Sequence, residues 1–171
     1  MLWEGFLSDL IIAYINRDSS QFAVHLRNAL ETDLTPKQTR IYSAFTTLTI
    51  PTHLNKADVI SLIDGQGNNI SFSNFNDLND AAARWLAATD AAKIANLTNA
   101  QKAILNALTA VRNQIAHRSE QAHKAMQIAL SAGALYPTGL QRGTNAVSQI
   151  GSYLKARPQG HASKRIEIFL S

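Results

Sequence analysis

Apolar residues recur along this chain with the period of a helix. Leu7, Leu10, Ile11 and Tyr14 fall at spacings 0, 3, 4 and 7 within residues 3–16, which is one helical face. Phe22, Val24, Leu26 and Leu30 mark a second, less regular face over residues 20–31. Thr35-Pro36-Lys37-Gln38 has the form of a helix start. Thr35 caps, Pro36 suits the first helical position and Gln38 closes the capping box. That helix carries Ile41, Phe45 and Leu48 and ends at Pro51. A short helix is predicted over residues 55–64, before the loop Gly65-Gln66-Gly67-Asn68-Asn69. This loop lacks the third glycine and the strand–helix setting of a nucleotide-binding turn.

From residue 68 to residue 132 there is no glycine or proline, and alanine, the best helix former, is abundant. Asp77 or Asn79 opens a helix running to Ile94. Thr98-Asn99-Ala100-Gln101 is a second capping box, after which Ile104, Leu108, Val111 and Ile115 form an apolar stripe on a helix over residues 99–118. Ser119 caps the next helix, residues 120–132, which carries Met126, Ile128 and Leu130. Pro137-Thr138-Gly139 starts a last helix to Ala156, with Arg157-Pro158 to stop it. Only Arg165-Ile166-Glu167-Ile168-Phe169 alternates like a strand, so a short strand is expected at the C-terminus. The expected fold is a single all-α domain over residues 1–171, a bundle of about six to eight helices.

Composition narrows the function classes. A chain of 171 residues, 46% hydrophobic and 16% charged, is long enough to bury a core without staples. Cysteine is absent, which removes disulfides, thiolate nucleophiles and zinc ribbons. The longest strongly apolar run, residues 10–15, is far short of the roughly 20 residues that span a bilayer. Glu4 and Asp9 precede it without a basic region, unlike a secretory signal. The expected location is therefore cytoplasmic, with no membrane partner. Charge is uneven: residues 1–111 hold 8 Lys/Arg against 10 Asp/Glu, whereas residues 112–171 hold 8 Lys/Arg against Glu120 and Glu167. Such asymmetry points to a polyanionic partner such as nucleic acid, or else to a surface that is merely basic at one end.

Familiar catalytic signatures are missing: no HExxH, GxSxG, P-loop or EF-hand loop occurs. His25, His53, His117, His123 and His161 never pair at helical ligand spacing, so no metal site is expected. Asp77 and Asp80 are assigned to helix capping. One constellation remains, Arg112-Asn113-Gln114-Ile115-Ala116-His117-Arg118, at the end of the best-defined helix. On a helical wheel Asn113 and His117 stand about 40° apart and Arg112 about 140° from His117, so a second surface must close over both. A guanidinium holds phosphate oxygens in a fork, and imidazole moves protons near neutral pH. Asparagine adds hydrogen bonds that orient the histidine or a ribose hydroxyl. The alternative is a helix end that favours cations because they complement its dipole.

The string Arg112-Asn113-x-x-Ala116-His117, late in a long amphipathic helix, resembles the signature of the HEPN superfamily. That signature is an arginine and a histidine separated by four to six residues, here four. The opening Leu2-Trp3-Glu4-Gly5-Phe6-Leu7 is similar in flavour to first helices of some bacterial members. The resemblance implies an α-helical bundle and a metal-independent endoribonuclease of the toxin, anti-phage or stress-defence kind. It further implies a homodimer that brings two copies of the motif to one cleft, no cofactor, and a 2′,3′-cyclic phosphate product. Arg112 and His117 would be catalytic, with Asn113 and Arg118 holding the RNA substrate. Some members are neutralised by a nucleotidyltransferase-type antitoxin. Others are non-catalytic modules that bind nucleic acid or a protein, which is the alternative reading. Lys155, Arg157 and Lys164-Arg165 either track an RNA backbone or solvate a terminal helix.

Overall fold

Helical periodicity, capping boxes and alanine content dictate an all-α architecture, and the computed structural model has one. It describes residues 2–32, 34–45, 51, 53–63 and 70–170, with side chains from residue 5 onward. Among these residues the helices are α1 (Leu2–Arg17), α2 (Ser20–Glu31), α3 (Pro36–Phe45), α4 (Lys56–Ile63), α5 (Phe75–Trp85) and α6 (Ala88–Ala95). They continue with α7 (Asn99–His117), α8 (Glu120–Leu130), a 3₁₀ turn (Gly133–Thr138), α9 (Ile150–Lys155) and α10 (Arg165–Leu170). No strand and no helix long and apolar enough to cross a membrane is present among the described residues. The expected extension of α3 through Leu48 and the loop over residues 65–69 lie outside them.

Helices are more numerous than the six to eight expected, and each departure has a physical reason. Residues 77–94 form two helices because Ala87 is extended, with φ −54° and ψ 145°. Trp85, Leu86 and Asp90 are all buried at this corner, so tertiary burial overrides alanine's helical preference. The helix expected over residues 137–156 survives only as the 3₁₀ turn and α9. Gly139 is left-handed at φ 74° and so is Asn145 at φ 61°, and the stretch between is irregular. Its backbone groups are met by side chains: Gln127 Nε2 donates to the Val147 carbonyl at 2.5 Å and Tyr153 Oη donates to the Leu140 carbonyl at 2.7 Å. The expected C-terminal strand is instead α10. An isolated strand leaves its backbone unpaired, whereas here Glu167 Oε2 accepts the Lys164 N–H at 2.8 Å and caps a helix.

The chain forms two compact units. The first holds Met1–Phe72 and Asn76–Asn96. Leu7, Ile11, Ile12 and Ile15 of α1 are buried, with Phe22 of α2, Val59 and Ile60 of α4, and Trp85. Leu10 and Tyr14, expected on the core face, are only half-buried. Asn16 grips the Leu54 backbone from both sides, donating to its carbonyl at 2.9 Å and accepting its N–H at 2.7 Å. The enclosed Asp90 carboxylate takes Arg17 and also Lys93, whose Nζ lies 2.9 Å away. Both cations also sit over the Tyr14 ring, at 5.3 and 5.6 Å.

The second unit holds Ser73–Phe75 and Leu97–Ser171. Its core joins Ala103, Ala107 and Val111 of α7 to Met126 and Leu130 of α8, with Leu135, Leu140, Val147 and Tyr153 from the C-terminal segments.

Two shifted groups in the first unit, His25 and Asp90, bear on its interior. The Lys93 hydrogen bond holds the Asp90 carboxyl below its ordinary value of 3.8 against the opposing effect of burial, and Arg17 adds to it. Burial pushes the His25 imidazole below 6.5, with the Arg84 charge adding. Both groups therefore favour the fold while deprotonated. The His25 contribution is complete above pH 6.5 and the Asp90 contribution above pH 3.8, and each is lost as pH falls. Thermal unfolding followed across pH is expected to show a level midpoint above neutrality and a fall below it, steepening in the acid range. His25→Gln removes the first fall and Asp90→Asn the second; a midpoint that rises on acidification contradicts this assignment.

Candidate functional site

The motif helix begins at a reciprocal cap. Thr98 Oγ1 accepts the Gln101 N–H at 3.3 Å, and Gln101 Oε1 accepts the Thr98 N–H at 2.9 Å. Its buried line is Ala103, Ala107 and Val111, each four residues from the next. Ile104 and Leu108 are half-buried and Ile115 is exposed, so the buried face is rotated by roughly 70° from the stripe the sequence suggests. Alanine is the cause: its small side chain lets α8 pack closely on this face, and bulky neighbours are displaced to its edge.

That rotation decides what reaches the surface in the last two turns. Arg112 and Asn113 are half-buried, and Ala116 and His117 are exposed. Arg112 Nη1 donates to Asn113 Oδ1 at 2.6 Å. Consecutive helical residues do not face each other, so this bond requires the guanidinium to swing across the helix surface. Asn113 therefore orients Arg112, where the sequence also allowed it to orient the histidine. His117 is the last residue of α7.

Arg118 behaves differently. It is left-handed, with φ 50° and ψ 25°, and its N–H donates to the Gln114 carbonyl at 3.0 Å. Glycine usually takes this helix-ending conformation. Ser119 then caps α8, its Oγ accepting the Ala122 N–H at 3.1 Å. The Arg118 side chain lines a cavity of about 360 Å³ with Gln114, His123, Met126 and Ile150, and none of Arg112, Asn113 and His117 lines it. Of the four expected site residues, two are joined, His117 follows at the helix end, and Arg118 turns elsewhere.

Charge gathers in this unit, which has nine Lys/Arg against two Glu. Glu120 pairs with Lys124 at 2.7 Å. Among the described residues no three His, Asp or Glu side chains converge into a set able to hold a metal ion. Asp77 lies in the first turn of α5, where a carboxylate complements the dipole, and Asp80 is exposed further along. Sequence reasoning missed one functional candidate. Arg165, grouped there with surface cations, is only 2% exposed, while Lys155, Arg157 and Lys164 are exposed. A basic residue within an apolar alternation was the available signal. Compared with known proteins, the chain matches no family model, no curated protein and no solved structure.

The left-handed Arg118 yields a stability test. Arg118→Gly relieves the Cβ clash of that conformation and is expected to stabilise the protein by about 1 kcal/mol. Chemical denaturation measures it, and a destabilised variant contradicts the assignment.

Proposed function

We propose that this protein is a metal-independent endoribonuclease of the HEPN type, acting as a homodimer. The observation that carries the reading is the Arg112–Asn113 hydrogen bond on the outer side of α7, five residues before the exposed His117. A guanidinium aimed by a neighbour is a preorganised oxyanion clamp, and an exposed imidazole at a helix end is accessible to a substrate. The excess of cations in the same unit supports a polyanionic substrate.

In this mechanism the imidazole of one His117 takes the proton from a ribose 2′-hydroxyl. The 2′-oxygen forms a bond to phosphorus as the P–O5′ bond breaks, and an imidazolium, His117 of a second copy, protonates the departing 5′-oxygen. The products are a 2′,3′-cyclic phosphate and a 5′-hydroxyl, so atoms and protons balance. Arg112 offsets the charge gathering on the non-bridging oxygens. Asn113 holds Arg112 in place. One chain supplies one such histidine, which is why a two-fold pair is part of the proposal. The exposed Ile115, inside the motif, is apolar surface available to that pairing. Cytoplasmic action and neutralisation by a nucleotidyltransferase-type antitoxin accompany this reading.

Purified protein is expected to cut total RNA with EDTA present, and His117→Ala to lower the rate by about 10²–10⁴-fold while circular dichroism stays helical. Arg112→Lys is expected to lose activity as well, because a point charge does not replace the planar fork. Asn113→Ala costs about tenfold, the worth of one hydrogen bond to a charged group. If wild type is folded and cuts nothing, the non-catalytic binding module replaces this reading; sedimentation as a monomer at working concentration contradicts the paired site.

A further inference from the structure

A cavity of about 580 Å³ lies in the second unit, remote in sequence from the α7 motif and lined by none of its residues. Its wall includes Tyr136, Gly139, Arg142, Pro158, His161 and Arg165, and no carboxylate is among its lining residues. Arg165 is 2% exposed and is met by carbonyls and an aromatic ring. Its Nε donates to the Gly139 carbonyl at 3.1 Å, and its Nη1 reaches the Tyr153 and Ala156 carbonyls at 3.5 and 3.4 Å. A second guanidinium lines the same cavity, and Arg165 and Arg142 lie 5.0 and 5.9 Å from the centre of the Tyr153 ring. That phenol brings no opposing charge, since burial pushes its pKa up to about 12 and its hydroxyl donates to Leu140. Burial, and then the Arg142 charge, both disfavour the Arg165 cation.

Two guanidinia on one cavity wall without a carboxylate, one of them buried, are costly to a fold, because a buried cation is unfavourable unless paired. The wall that holds them is closely fitted. Gly139 is left-handed, and a Cβ there would come within 2.6 Å of Pro158 Cβ and 2.8 Å of His161 Cδ2. An oxyanion completes the arrangement, since the Arg142 fork matches phosphate geometry and Arg165, anchored by its carbonyls, adds a second positive charge. The volume falls in the range of small-molecule sites, about 300–1,000 Å³, so it admits a carrier beyond the phosphate itself. Tyr136, 78% exposed, offers that carrier a flat ring.

We propose that this cavity binds a phosphate group, free or carried on a small monoester, at the wall that Arg142 and Arg165 share. The proposal is independent of the ribonuclease reading. Calorimetric titration of the full chain at low salt with inorganic phosphate, AMP and adenosine tests it. Phosphate and AMP are expected to bind and adenosine not. Equal affinity for phosphate and AMP identifies the bare oxyanion as the ligand, and tighter AMP binding identifies a nucleotide; both uphold the proposal. Arg142→Gln, which leaves the buried Arg165 and its carbonyl partners in place, is expected to weaken binding by about tenfold or more. Arg165→Lys, which keeps charge without the fork, is expected to weaken it too, provided circular dichroism shows the helical fold. Silence toward both phosphate and AMP at millimolar concentration overturns the proposal. So does adenosine binding as tightly as AMP, or wild-type affinity in Arg142→Gln.

Discussion

Close packing of α7 on α8 is the constraint on which the second unit depends. Ala103, Ala107 and Val111 present almost no side chain beyond Cβ or a branched pair of methyls, so the two helices approach through them. Met126 and Leu130 fill the opposite side of that seam and are essentially fully buried. Burying side chains of this kind contributes about 1.5–3 kcal/mol each. Once this seam is fixed, the rotation of α7 is fixed, and with it the side on which Arg112, Asn113 and Ala116 emerge. The placement of the motif is downstream of alanine packing.

The same logic explains which features were readable in the residues. Helices α1, α2, α7 and α8, the last two capped by Thr98 and Ser119, fall within a residue or two of the expected bounds, because local signals agree with tertiary packing. Thr35 and Gln38 pair as the motif suggests, with Gln38 Oε1 accepting the Thr35 N–H at 2.9 Å. What was hidden is what packing decides. Nothing in Ala87 announces a helix boundary; Trp85, Leu86 and Asp90 impose it by going inside together. The alternation of residues 165–169 fits a strand by period, but six residues without a partner gain more from a capped helical turn. At the motif, the sequence identifies the residue types and their helix. It does not reveal that Asn113 takes hold of Arg112, because that bond is a rotamer choice across adjacent positions.

Cations divide between two environments. Lys155, Arg157 and Lys164 remain at the surface, where charge is cheap and suits a polyanion. Arg165 is taken inside, and Gly139 gives up a side chain to make room for the wall around it. In the first unit a buried charge is resolved differently: Asp90 is matched by two cations, Arg17 and Lys93. The contrast between a buried acid matched by cations and a buried base met by carbonyls and a ring is what motivates the ligand site proposed at Arg165.

Transesterification through the 2′-hydroxyl by the proposed Arg112–His117 pair is decided by the product ends left on a defined RNA digested with EDTA present. Wild type is expected to leave 2′,3′-cyclic phosphate and 5′-hydroxyl ends, and His117→Ala none. Ends bearing a 5′-phosphate, or the same products from His117→Ala, would contradict this mechanism.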